Sequence, residues 1–271
     1  MGCRRSGLPG ERKMKLALIQ MNIAADKAQN LAHAAELVLS AEAADVIMLP
    51  EMFCCPYRNR DFIKNAEEEG GAVTLALSEM AKAAGAYLIG GSMPERDGEK
   101  LYNTCFCFDP AGRMIAKHRK VHLFDVDIEG GQKYCESRTF SPGESVTTFD
   151  TPFGRFGVAV CFDIRFPDMI RQMPKIDFLA VPAAFNMTTG PLHWELLFRA
   201  RAVDEQIFTF GCAPARDEKA PYASYGNSIA VDPWGKVLAR AGAEETVLTV
   251  DIDPAEVRAV RRQIPVGKQN Y

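Results

Sequence analysis

The sequence predicts an α/β protein in which two mixed sheets face each other beneath outer helices. Strand and helix signals alternate from end to end of the chain. Hairpin turns and helical crossovers both occur, so parallel and antiparallel pairing must coexist in the sheets. The 271 residues, 47% hydrophobic and 25% charged, are enough to bury a sizeable core.

The elements follow in order. "KLALIQMN" (15–22) reads as a strand, and the Ala-rich stretch from Asp26 to Ala43 reads as a helix with Asp26 as its N-cap. "VIMLP" (46–50) is a short buried strand, and a helix over 72–84 is stopped by Gly85. "AYLIGGSMPE" (86–95) is the next strand. "LYNTCFCFDPAGRMIAKHRK" (101–120) reads as a hairpin turning at "DPAG". A long polar loop (121–146) precedes the buried strands "RFGVAVCF" and "DFLAVPAA", with a helical segment over 166–173 between them. Pro191 opens a helix running to Gln206. "IFTFGCAPA", "YGNSIAVD", "VLARAG" and "TVLTVDID" are the closing strands, with a "DPWG" turn (232–235) between two of them, and a last helix begins near Pro254. No linker or repeat divides the chain, so residues 14–271 are expected to form one domain.

A formal net charge of −3 gives no electrostatic reason to expect nucleic acid or an anionic membrane as a partner. No apolar run approaches the ~18 residues of a membrane helix. The eight cysteines (3, 54, 55, 105, 107, 135, 161 and 212) form no CxxC pair, and only four histidines accompany them. A zinc site is not expected, and reduced thiols in a cytoplasmic protein are the better reading. "MGCRRS" fits an acylation pattern with Gly2, Cys3 and Ser6 in place. The simpler account is that Met14, directly before the first strand, is the natural start and that 1–13 is an extension.

Four polar residues stand where apolar strands end or in the adjoining loop. Glu51 follows "VIMLP", Lys120 closes the hairpin, Glu136 lies in "CESRTFSPG", and Cys161 ends its strand. Singly, each has a plain structural explanation: a solvated cap, a surface lysine, a core-filling thiol. As a set they bring together the groups that nucleophilic catalysis by a thiol requires. A carboxylate takes the thiol proton, and a fixed cation meets the oxyanion that forms.

The motifs "LPEMF", "HRKVHLFD" and "VAVCFDIRFP" stand in the order and at the spacing of a Glu–Lys–Cys triad, and the chain from Met14 onward resembles the nitrilase superfamily of carbon–nitrogen hydrolases. That resemblance implies a four-layer αββα sandwich, with Glu51 as general base, Lys120 as electrostatic partner and Cys161 as nucleophile. Glu136, shortly before the "SPG" turn (141–143), matches the family's second glutamate, and Glu144 ranks behind it. Lys120 and the backbone N–H of Phe162 are the expected oxyanion hole. No metal or organic cofactor is needed.

Within the family, "EKLYNT" (99–104), "KVHLFDVD" (120–127), "AFNMTTGPLHWELLFRARAVDEQ" (184–206) and "APARD" (213–217) resemble the omega-amidase branch. This implies hydrolysis of the terminal amide of 2-oxoglutaramate or 2-oxosuccinamate to a dicarboxylate and ammonia. Such a substrate carries a carboxylate far from the scissile amide. Arg165 is a candidate for it, against a surface ion pair with Asp168. Tyr57 is a candidate contact, against a merely packed ring. Asn186, Thr188 and Thr189 line the pocket in the family, against simple turn chemistry.

The helix opened by Pro191 carries His193, Trp194 and Glu195, the last spaced for an exposed pair with Arg199. Its Leu192, Leu196, Ala200 and Val203 form one apolar face, expected to be buried near the site and to contribute to a homodimer. "FCCPYRNR" (53–60) departs from the branch, and its paired cysteines bear on the pocket rim. The end at "RRQIPVGKQNY" lacks a longer basic tail found in relatives, which bears on dimer contacts more than on catalysis. The alternatives are a deaminated-glutathione amidase, an N-carbamoyl amino-acid amidohydrolase, and a catalytically silent scaffold. A true nitrilase and a fused amidotransferase are disfavoured.

Overall fold

The computed structural model describes residues 12–266. Strand β1 (Met14–Gln20) leads to α1 (Lys27–Ser40), β2 (Val46–Met48), α2 (Asn59–Asn65) and α3 (Ala72–Ala84). Next come β3 (Tyr87–Ile89), β4 (Met93–Asp97), β5 (Lys100–Phe108), β6 (Met114–Arg119), β7 (Asp125–Asp127), β8 (Lys133–Cys135), β9 (Thr147–Thr151) and β10 (Gly154–Val158). The chain continues through α4 (Pro167–Arg171), β11 (Phe178–Pro182), α5 (Gly190–Glu205), β12 (Phe208–Cys212), β13 (Ile229–Val231), β14 (Val237–Arg240), β15 (Thr246–Ile252) and α6 (Ala255–Gln263).

The strands form two large mixed sheets. One has the order β15-β1-β2-β3-β5-β4, with β6 also on β5; the other has the order β14-β13-β12-β11-β10-β9. In each, a parallel trio (β1–β2–β3 and β10–β11–β12) is flanked by antiparallel strands. Strand alternation makes the layers. Leu16 and Leu18 belong to the core shared with Phe156, Phe178 and Phe210 of the other sheet, whereas Ala17 and Ile19 lie under Ala34, Val38 and Leu77 of α1 and α3. The Cys212 thiol donates across the sandwich to the carbonyls of Ile19 (3.4 Å) and Met48 (3.3 Å). On the outer face of the second sheet, a Cβ at Gly211 would collide with Phe198 of α5, so only glycine lets that helix settle so closely.

Several elements match their sequence signals. Asp26 caps α1 by accepting from Gln29 N at 2.9 Å, and Gly85 ends α3 in the left-handed region (φ 61°). Others differ for local reasons. The strand expected over 86–95 is two strands, because Gly91 (φ 56°) turns the chain between β3, parallel to β2, and β4, antiparallel to β5. The polar loop 121–146 contains the β7–β8 hairpin and a 3-10 turn over Glu136–Arg138. Helix α2 and strand β9 were not anticipated.

The largest correction concerns α5. Its expected buried face, Leu192, Leu196 and Val203, is outside, 74%, 63% and 51% exposed. Trp194, Phe198 and Ala202 are the residues it buries. Both sets have helical spacing, and aromatic volume decides which one faces the sheet. Among the described residues, no helix is long and apolar enough to cross a membrane. Gly2, Cys3 and Ser6 of the acylation pattern lie outside the described residues.

Candidate active site

Three chain segments leave their strands at the same region. Glu51 follows β2, Lys120 follows β6, and Cys161 follows β10 after two further residues. Cys161 does not end a strand as expected. It opens a 3-10 turn (Cys161–Arg165) with its backbone in the left-handed region (φ 49°), a strained conformation for a residue with a side chain. Asp163 supports this turn. Its carboxylate accepts from Val160 N at 3.0 Å and His122 N at 2.8 Å, and it meets the rings of His118 (3.1 Å) and His122 (2.9 Å). The two histidines bracket Lys120, so one buried carboxylate ties the nucleophile's turn to the lysine's segment. Burial opposes its ionisation, yet the hydrogen bonds from His118 and His122 hold Asp163 well below the usual carboxylate range.

Glu51, Lys120 and Glu136 are all fully buried. Lys120 Nζ donates to Glu51 Oε1 at 3.0 Å and Glu136 Oε2 at 2.8 Å. Ala184 N donates to Glu51 Oε2 at 2.8 Å, and Phe124 N donates to Glu136 Oε2 at 2.6 Å. The Cys161 thiol lies close enough to Glu51, Lys120 and the Ala184 backbone to feel all three. Burial works against the charge on Lys120, but Glu136 and Glu51 outweigh it and hold the ammonium well above its ordinary range. Burial raises Glu136, and Lys120 only partly offsets this. Burial and then Glu51 push the Cys161 thiol well up, against Lys120. Burial and Glu51 therefore favour the neutral thiol at Cys161.

Tyr57 reaches the site: its hydroxyl donates to Glu51 Oε1 at 3.4 Å, and its ring stacks on Tyr222 at 4.3 Å. A cavity of about 70 Å³ is lined by Glu51, Cys55, Tyr57, Ala184 and Tyr222. Cys55 thus belongs to the pocket wall.

Arg165 does not pair with Asp168, whose partner is Arg171 at 3.3 Å. Its guanidinium instead contacts His193 Nδ1 at 3.1 Å and lies over the rings of Phe185 (5.2 Å) and Phe162 (5.6 Å). Among the described residues no carboxylate pairs with it, and its Nε is buried without a partner. Asn186 performs the turn role: its Oδ1 accepts from Thr188 N (2.9 Å) and Thr189 N (3.0 Å), and its amide donates to Gln132. Thr189 is buried in that turn and Thr188 is exposed. Glu144 is exposed and apart from the triad. Glu195 pairs with Arg199 (3.4 Å) and Arg240 (2.7 Å) on the surface.

Sequence reading missed Asn103, His118, His122, Asp163, Tyr222 and the Ala184 N–H. A signal existed for Asn103, an amide inside the otherwise apolar strand "LYNTCFCF". The Ala184 N–H had none, because every residue type except proline carries that donor.

Two mixed sheets under outer helices, with Cys161 opening a turn beside a buried carboxylate–ammonium cluster, fit a hydrolase of carbon–nitrogen bonds. The chain belongs to the carbon–nitrogen hydrolase family, whose model matches residues 15–262. It is 49% identical over 259 residues to the omega-amidase NIT2 of Mus musculus, covering 94% of each chain. It is 48% identical to the Homo sapiens omega-amidase NIT2, again over 94% of each. Among solved structures, Saccharomyces cerevisiae Nit3, a member of branch 10 of the nitrilase superfamily, superposes with a TM-score of 0.89 at 38% identity. That match covers 98% of this chain and 99% of the other.

Proposed function

We propose that the protein is an omega-amidase that hydrolyses the terminal amide of 2-oxoglutaramate or 2-oxosuccinamate through a Cys161 thioester, within one catalytic domain. The buried cluster in which Lys120 Nζ donates to Glu51 at 3.0 Å and to Glu136 at 2.8 Å, with Cys161 opening the turn beside it, carries this reading. Cys161 Sγ attacks the amide carbon as its proton passes to Glu51, and the carbonyl electron pair moves onto oxygen. Lys120 and the Phe162 N–H receive that oxyanion. Collapse breaks the C–N bond, and Glu51 returns the proton to the departing ammonia. Glu51 then takes a proton from water, whose oxygen attacks the thioester. The second oxyanion expels the Cys161 sulfur, which regains its proton. Glu136 orients Lys120 throughout.

Arg165 supports a substrate with a distal carboxylate, because a half-buried guanidinium without an acidic partner is an anion site in waiting. Asn186, Thr188 and Thr189 act by shaping the loop beside it, and Tyr57 by walling the cavity. The seven described cysteines are free, which fits a reducing, cytoplasmic setting. The exposed Leu192, Leu196 and Val203, beside Trp234 (51% exposed), form an apolar face suited to a second copy of the chain. Leu196→Asp is expected to convert a dimer to a monomer in sedimentation.

The deciding experiment offers 2-oxoglutaramate, deaminated glutathione and an N-carbamoyl amino acid to the purified protein beside a Cys161→Ala control. Ammonia release from the keto-amide, lost in the control, is expected. Release from another substrate would keep the mechanism and overturn the substrate. No Cys161-dependent release from any of them would leave the silent scaffold.

A further inference from the structure

Asn103 lies in β5 with its side chain fully buried between the two catalytic carboxylates. Its Nδ2 donates to Glu51 Oε1 and to Glu136 Oε1, both at 2.9 Å. Carboxylate oxygens only accept, so the amide must turn its NH2 towards them, giving one hydrogen to each. The consequence is an Oδ1 that is buried with no partner. A buried orphan acceptor costs free energy and calls for a reason.

The reason lies in the charge count. Glu51 and Glu136 share one cation, Lys120, and all three are fully buried. Two carboxylates so placed tend to hold one proton between them, and a proton on Glu51 would bar it from receiving the thiol's. We propose that Asn103 is a positioning residue whose amide takes the place of that shared proton, keeping Glu51 an unprotonated base while fixing its distance from Glu136. A hydroxyl side chain offers one hydrogen where two are needed, and a second cation would add charge beside the oxyanion site. A neutral amide offers two hydrogens and no charge. The same backbone position accepts Lys120 N on its carbonyl at 2.8 Å, so one residue holds all three members of the cluster.

The other titratable or charged groups facing this pair are Lys120 after β6, Cys161 in its turn, Tyr57 after β2, Tyr134 in β8 and Tyr222 in the 213–228 loop, with Cys55, Arg58 and Asp217 on the wall of the cavity that Glu51 lines. Arg165 faces the cluster only through Cys161. Burial raises all three tyrosines above their ordinary range, so they stay neutral through the acidic branch of a pH profile. That branch therefore reads the carboxylate pair.

The proposal rests on Glu51 as the base for Cys161, and its test separates the two. Asn103→Leu removes both hydrogens at similar volume, and Asn103→Asp keeps the shape while adding a third carboxyl. In both, the acidic limb of kcat should move up by about one pH unit, because a carboxylate that loses its donor or gains a like-charged neighbour takes up a proton more readily. At neutral pH kcat should fall about 10- to 100-fold with KM within about twofold. Alkylation of Cys161 by iodoacetamide, followed on its peptide by mass spectrometry, should show the same displacement without any substrate. If the wild type does not turn over the keto-amide, the substrate assignment falls and the alkylation profile still tests Asn103. If Asn103→Leu does not fold, Asn103→Asp alone decides. An unmoved acidic limb, with a uniform loss or no loss at every pH, would overturn the proposal and leave Asn103 a packing residue.

Discussion

The hairpin of β5 and β6 carries two charged clusters, one on each face, and they differ in kind. On the inner face, Asn103 and Lys120 serve Glu51 and Glu136. On the outer face, one residue away in each strand, Thr104 and Arg119 serve Glu95. Arg119 grips Glu95 through Nε at 2.8 Å and NH2 at 2.7 Å, also reaches Asp97 at 2.7 Å, and lies 3.8 Å from the centre of the Tyr102 ring. Lys117 joins Glu95 and reaches Glu69 at 2.8 Å. Outside, two cations converge on one buried carboxylate, Glu95, and each also meets an exposed one, Asp97 or Glu69. Burial would raise Glu95, but the hydrogen bonds from Arg119 and Lys117 hold it below the usual range. Inside, two carboxylates meet one cation, and burial leaves Glu136 raised. Similar residue types make a structural clamp where two cations hold one buried carboxylate, and a cluster suited to proton transfer where two buried carboxylates share one cation.

The sharpest way to break this contrast is to remove the lysine on each side. Lys120→Met strands two buried carboxylates, so ammonia release should fall by about 10³-fold or more. Stability should fall by about 3–5 kcal/mol in urea unfolding. Equal stability in Lys120→Met and wild type would mean the inner cluster is not the strained one. Asp163→Asn should be intermediate. It weakens the link between the Cys161 turn and the two histidines, at about 1–3 kcal/mol near neutral pH.

The pH dependence of that loss has a definite sign. Asp163 is depressed in the folded chain, so its contribution is complete above the ordinary carboxylate range, ~4, and fades as pH falls towards its depressed value. Urea midpoints of wild type and variant should therefore differ most at pH 6–8 (a range on the order of neutrality) and converge in acid. A gap that widens in acid would contradict the assignment. The smallest effect belongs to Lys117→Met, where Arg119 remains on Glu95. A loss of about 1 kcal/mol or less and unchanged turnover are expected.

Much of this was readable in advance, and the limits have physical causes. Glu51, Lys120, Glu136 and Cys161 were legible as a set, through the motifs "LPEMF", "HRKVHLFD" and "VAVCFDIRFP" and the "SPG" turn after Glu136, rather than from the setting of any one of them. The α3 helix was legible from its period and its closing Gly85. The outward face of α5 was not, since Leu192–Leu196–Val203 and Trp194–Phe198–Ala202 both satisfy helical spacing. The turn that lifts Cys161 was also hidden, because a left-handed cysteine is imposed by Asp163 and its partners rather than preferred by the residue.

Alone, the sequence picked out the side chains that the structure brings together and the two mixed sheets whose following turns and loops present them, since motif order and local pattern carry both. Tertiary structure decided their protonation and their partners. The ratio of carboxylates to cations in a buried site, the backbone donors of Ala184 and Phe124, and the amide of Asn103 arise only when segments distant in the chain are brought within hydrogen-bonding distance. A carboxylate's strength as a base is set by that surrounding field, which no stretch of chain holds by itself.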